Sequence, residues 1–210
     1  MDYLQQLIER YSPLASLQNN IAAAYSLLID AFERGGKLLV AGNGGSASDA
    51  EHIVGELMKS FVKKRCIAAE LTEKLKKLDR EAGIWLGSHL QGTLPAIALT
   101  GHNSLNTACI NDIDGKIIFA QQVLGYGRKG DVFTGISTSG NAKNIYYALL
   151  TAKAIGIKTI GLTGGNGGLL AKHADITIIV PETETYKIQE LHLPIYHTLC
   201  LMIEDHFYEL

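Results

Sequence analysis

His52 and Glu56 stand four residues apart in Ser46–Lys63, a stretch whose apolar residues recur at helical spacing. At that separation the two side chains share one face of a helix. An imidazole beside a carboxylate can ligate a metal ion or pair an acid with a base, and it also occurs as an ordinary surface pair. A second polar set, Gln189, Glu190, His192 and His197, interrupts the apolar stripe of Ile188, Leu191, Ile195, Leu199 and Ile203. Gln189 and His197 lie about 80° apart around a helix, so both can face one pocket. Others of this set are expected to meet the core or another subunit. Pro194 in the same segment is expected to bend it near that pocket.

Three glycine-rich turns offer backbone donors. Gly42-Asn43-Gly44-Gly45-Ser46 has glycines that admit close ligand approach and, in Ser46, a candidate helix cap. Its spacing is not GxGxxG, so no nucleotide cofactor is expected, and a plain strand-to-helix turn is the alternative. Ser137-Thr138-Ser139-Gly140-Asn141 places three hydroxyls before a helix start, chemistry that suits a phosphate. Serine and threonine also cap helices without a ligand, but two such loops at strand ends favour the phosphate. The third turn, Thr163–Gly168, lacks the hydroxyl cluster and reads as a simple turn and helix start.

These loops need a scaffold. Apolar runs at Lys37–Ala41, Ala96–Thr100, Asp131–Ile136, Lys158–Thr163 and Asp175–Val180 alternate with amphipathic segments around Ser46–Lys63, Asn141–Ile155 and Gly167–His173. Strands apolar on both sides, separated by helices, predict a doubly wound α/β fold with a five-stranded parallel sheet flanked by helices. A long N-terminal helical segment, Leu4–Glu33, is broken or bent at Ser12-Pro13 and ended by Gly35-Gly36. Leucines at 71, 75 and 78 mark one extra helix between strands 1 and 2, within Cys66–Gln91. A last helix runs from about Thr185 to Tyr208.

Composition sets the outer limits. The chain has 210 residues, 47% hydrophobic and 19% charged, with a net charge of −2. Such a balance supplies no field to recruit nucleic acid or an anionic membrane, although Lys63, Lys64 and Arg65 form a short basic cluster. Cys66, Cys109 and Cys200 form no CxxC pattern, which argues against a disulfide framework or zinc ribbon and fits a cytoplasmic setting. No secretory pattern opens the chain, and no apolar stretch approaches the ~18 residues of a membrane span.

Taken together, Gly42–Ser46, Asp49-Ala50-x-His52-x-x-x-Glu56, Asn111-Asp112, Gly135–Asn141 and Ile188-Gln189-Glu190-x-His192 with His197 resemble the phosphoheptose isomerases. These are sugar-isomerase (SIS) domain proteins that convert sedoheptulose 7-phosphate to a glycero-manno-heptose 7-phosphate. The resemblance covers essentially the whole chain and implies a single SIS domain over 1–210. It implies that Asn43, Gly44, Gly45 and Ser46 line the sugar site, with Gln189 and Glu56. Ser137, Thr138 and Ser139 would hold the phosphate, and Asn111 and Asp112 would contact substrate. Glu56 would be the catalytic base and His197 its acid–base partner. In zinc-bearing members, His52, Glu56, Gln189 and His197 correspond to the metal ligands. The family is typically a homotetramer with sites between subunits, consistent with the apolar stripes of the first and last helices.

Three positions depart from the family pattern. Ala142 stands where many members have serine, Ser60 where many have arginine, and Cys66–Gln91 is longer than the usual connection. A proton must leave a carbon beside the carbonyl to give an enediol, which a carboxylate can accept while an imidazole relays protons between oxygens. SIS folds also serve as phosphosugar sensors or as DnaA-binding regulators. The presence of both Glu56 and His197 favours the enzyme, because a scaffold has no chemical need of them.

Overall fold

A computed structural model describes residues 2–208; Met1, Glu209 and Leu210, the ends of the expected 1–210 domain, lie outside the described residues. Five strands, β1 (Leu38–Ala41), β2 (Ala96–Ala98), β3 (Val132–Ile136), β4 (Lys158–Gly164) and β5 (Ile176–Val180), form one parallel sheet in the order β2-β1-β3-β4-β5. Leu38 aligns with Ala96 on one side and Val132 on the other, so β1 is an interior strand, and all four of its residues are buried. Period-two alternation divides its residues between two cores. Leu38 and Val40 pack with α1 (Tyr3–Arg10), α2 (Gln18–Glu33), α3 (Gly45–Met58) and α10 (Thr185–Phe207). Leu39 and Ala41 pack on the opposite face with α7 (Ile118–Tyr126), α8 (Lys143–Ala154) and α9 (Gly168–His173).

The expected α/β sheet is present, with four strands shorter than expected and β4 one residue longer. Asp131 and Asp175 stand just before β3 and β5 as anchors. Asp131 accepts from the Lys37 and Arg128 amides and the Lys37 ammonium, while Asp175 accepts from the Thr159 amide and hydroxyl. At Ser12-Pro13 the helical segment breaks into a 3₁₀ turn, Ser12–Leu17, whose Leu14 is fully buried.

Elements that bury little differ most from expectation. The extra helix is a hairpin of two, α4 (Ala69–Leu78) and α5 (Arg80–His89). Asp79 separates them in an extended conformation and caps α5 by accepting from the Ala82 amide. A side chain at Gly83 would collide with the backbone of Lys76, so only glycine permits this packing. Cys66 and Gln91 pair as an antiparallel bridge at the base of the hairpin. The link from β2 to β3, to which the sequence pattern assigns no helix, holds α6 (Asn103–Asp112) and α7.

Helix α3 ends at Met58, not Lys63, because the next amides turn to another acceptor. Phe61, Val62 and Lys63 donate their backbone N–H groups to the Glu204 carboxylate. Burial alone would raise the Glu204 pKa, but these amides and the Arg65 guanidinium hold it below the ordinary carboxylate value. Arg65 and Glu204 form an ion pair at 2.7 Å with neither side chain exposed. Lys63 is buried too, bonded to the Tyr208 carbonyl and paired with Asp205. The basic cluster of the sequence is thus largely an internal clamp.

Candidate active site

Strand order reverses beside β1, and in open α/β sheets the crevice beyond the strand ends at such a point is where ligands bind. The loops after β1 and β3 both open there. They are joined by a reciprocal amide pair, Asn43 to Asn144 at 2.9 Å and Asn144 to Asn43 at 2.8 Å. Gly44, rather than Ser46, is the N-cap of α3. The glycine run closes the turn early, the Ser46 amide donates to the Asn43 carbonyl, and Ser46 itself is buried.

In the second loop Ser137 is buried, Thr138 half-buried and Ser139 exposed. Gly140 has φ 66°, and a side chain there would collide with the Gly167 carbonyl. That contact joins the second loop to the third. Thr138, Ser139 and Asn141 face Gly165 and Asn166, with Thr183 and Thr185, across a cleft of about 250 Å³. Thr163–Gly168 is therefore a cleft wall as well as a helix start, which corrects the simple reading of that turn.

From the cleft, α3 and α10 run side by side in the same direction. Gln189 lies against Gly45, where a side chain would collide with its amide, and seven residues further on Tyr196 meets His52. At this second point the polar groups converge. His52 Nε2 is 3.0 Å from Glu56 Oε1, and the His52 and His197 rings lie 4.9 Å apart, edge to face. Glu56 Oε2 accepts from Lys59 Nζ at 3.1 Å. His52 Nδ1 is 3.1 Å from the Tyr196 hydroxyl, which donates to Asp49 Oδ1 at 3.2 Å. Burial, and then His52, hold the His197 pKa below that of an ordinary imidazole against the opposing pull of Glu56. Burial thus favours the neutral imidazole, the form with a lone pair to offer. It also lines a second cleft, of about 310 Å³, with Gln6, Arg10 and Phe61.

The expected residues thus fall into three groups. Asn43–Ser46, Ser137–Ser139 and Gln189 gather at the loops; His52, Glu56 and His197 gather further along the α3–α10 seam. Asn111 and Asp112 stand apart, exposed at the end of α6, with Asn111 donating to Asp112 at 2.8 Å. Lys59, Asn144 and Tyr196 have no assigned role in the sequence reading. Tyr196 adjoins His197, and Asp49 shares a helix face with His52, the signals that could have found that contact.

Imidazole and carboxylate donors suit zinc, and His197 Nε2 is buried without a hydrogen-bond partner, as a ligand atom awaiting an ion would be. The full set is not gathered, however. Among the described residues no three His, Cys, Asp or Glu side chains converge as an ion site. His52 Nε2 is turned to Glu56, and Gln189 is about 12 Å from His197 along the helix axis. Cys200 is no alternative nucleophile, since burial and nearby Glu56 push its thiol up to about 12.

Residues 2–84 and 88–164 match the SIS domain family, whose members carry this architecture. The phosphoheptose isomerase of Geotalea daltonii is 43% identical over 192 residues, covering 91% of this chain and 86% of that protein. That of Roseiflexus sp. is 36% identical over 209 residues, 100% of this chain and 90% of its own. The solved phosphoheptose isomerase of Francisella tularensis superposes with a TM-score of 0.74 at 33% identity, covering 97% and 95% of the two chains. For the Neisseria gonorrhoeae enzyme the TM-score is 0.72 at 32% identity, covering 96% and 91%. The chain belongs to the phosphoheptose isomerase family of SIS-domain proteins.

Proposed function

We propose that this chain, as a single SIS domain, interconverts sedoheptulose 7-phosphate and D-glycero-D-manno-heptose 7-phosphate through an enediol. The observation that carries this reading is the convergence of Glu56, His52 and His197 on the seam leading from the two donor-rich loops. Ser137, Thr138 and Ser139 take the phosphate, while Asn43, Gly44, Gly45, Ser46 and Gln189 line the sugar. Glu56 removes the proton from carbon 1 of the ketose, and the C–H electron pair becomes the enediol double bond. His197 relays the hydroxyl proton from oxygen 1 to oxygen 2, and Glu56 returns its proton at carbon 2. Zinc, which the family resemblance assigns to His52, Glu56, Gln189 and His197, would supply carbonyl polarisation only if those four side chains were drawn together, and His52 Nε2 is instead turned to Glu56.

Asn111 and Asp112 contact substrate in this reading from a neighbouring subunit, and the chain assembles as a homotetramer in the cytoplasm. Their exposure supports that assignment. The test is isomerisation of sedoheptulose 7-phosphate, followed by product analysis, for the wild type and Glu56→Gln. The substitution keeps the shape of the side chain and removes the base, so the rate should fall roughly 10²–10⁴-fold. A wild type inactive on this sugar and on a panel of related ketose phosphates would refute the reading.

A further inference from the structure

Both oxygens of Glu56 are engaged, by partners of unequal firmness. His52, at Oε1, is tied on its far side to Tyr196, which is 3% exposed and in turn bonded to Asp49. Lys59, at Oε2, has a side chain 61% exposed, and its other bond is to the neighbouring Ser60 carbonyl beyond the end of α3. One oxygen is therefore pinned and the other is covered by an ammonium on a free stem. Among the described residues, no other lysine or arginine nitrogen bonds to this cluster's side chains. Arg65 is committed to Glu204 and to the Glu56 and Leu57 carbonyls, and Arg10 lines the cleft beside His197 with no bond to Glu56.

We propose that Lys59 is a further catalytic residue: its ammonium leaves Glu56 Oε2 when substrate enters and donates a hydrogen bond to the carbonyl oxygen of the ketose phosphate. This rests on Glu56 being the base. Oε2, uncovered, takes the proton from carbon 1; the C–H pair forms the carbon–carbon double bond; the carbonyl π pair moves onto oxygen 2. Lys59 stabilises the negative charge that collects there and transfers no proton. A hydrogen-bond donor brought to charge that develops in the transition state lowers the barrier.

The experiment compares Lys59→Met, Lys59→Arg and Glu56→Gln, measuring kcat, KM and solvent-deuterium incorporation at carbon 1 with sedoheptulose 7-phosphate. Lys59→Met is expected to lower kcat and the exchange rate together, roughly 10²-fold, with little change in KM. Lys59→Arg should recover most of that loss. If Lys59→Met turns over like the wild type or faster while Glu56→Gln is inactive, Lys59 merely covers the base and the proposal fails alone. If Glu56→Gln keeps its turnover, the base assignment fails and takes the proposal with it. Lys59→Gln, with unfolding midpoints for every variant, replaces Lys59→Met where that substitution lowers stability, and equal kcat in a folded Lys59→Gln also overturns the proposal.

Discussion

His192 is fully buried, with Nε2 3.3 Å from the Thr163 carbonyl and Nδ1 without a partner. Burial lowers its pKa from 6.5 to about 4, although the Thr163 bond opposes the shift. Between those values the unfolded chain binds a proton that the folded chain refuses. Stability should therefore fall as pH drops through this window, by up to about 1.4 kcal/mol per pH unit from this group. In urea titrations between pH 7 and 4, His192→Gln should lose less stability on acidification than the wild type; identical pH dependence would contradict the assignment. At the neighbouring cluster the question is metal. Protein purified without chelator should carry zinc on elemental analysis, lose activity on chelation and regain it with zinc; full activity in metal-free protein would leave Glu56 and His197 working unaided. Here the His52–Glu56 pair is legible in sequence because helical spacing is local. Tyr196 and Asn144 are not, since their partners are 144 and 101 positions away and only the fold brings them near.

Elements follow the same logic. Strands β1, β3 and β4 are legible because nearly every residue is buried, leaving short runs of apolar, threonine and glycine residues with Lys158 alone exposed. Helix α4 shows its leucine stripe although none of its residues is buried, whereas α5, with only Gly83 buried, and α6, with only Cys109, carry no stripe that marks their boundaries. The hairpin follows a stem formed by the Cys66–Gln91 bridge and a bond from the Gly92 amide to the Arg65 carbonyl. It exposes Leu78 and Trp85 and sends no large side chain into either core. Replacing residues 67–90 with Asn-Gly, a two-residue turn suited to an antiparallel stem, should leave a folded protein. Circular dichroism and a cooperative melt would show it, whereas loss of the transition would make the hairpin part of the folding unit.

At the scale of the molecule, the tetramer expected from the family resemblance is open to sedimentation at micromolar protein. A species of four chains is expected; a clean monomer would refute a substrate contact made by Asn111 and Asp112 from a neighbouring subunit. The parallel run of α3 and α10 has a further consequence. Aligned peptide dipoles make each helix positive at its start and negative at its end. Both starts, Gly45 and Thr185, lie at the loops. At the far ends, Arg65 bonds the Glu56 and Leu57 carbonyls and Lys63 the Tyr208 carbonyl, so cations gather at the negative pole. A doubly charged phosphate placed along this seam is drawn to the loop end, while the cations at the other end offset the negative pole there. At about 0.3–1 kcal/mol per helix terminus, two such helices favour entry of the sugar phosphate-first several-fold, before any side chain has made contact with it.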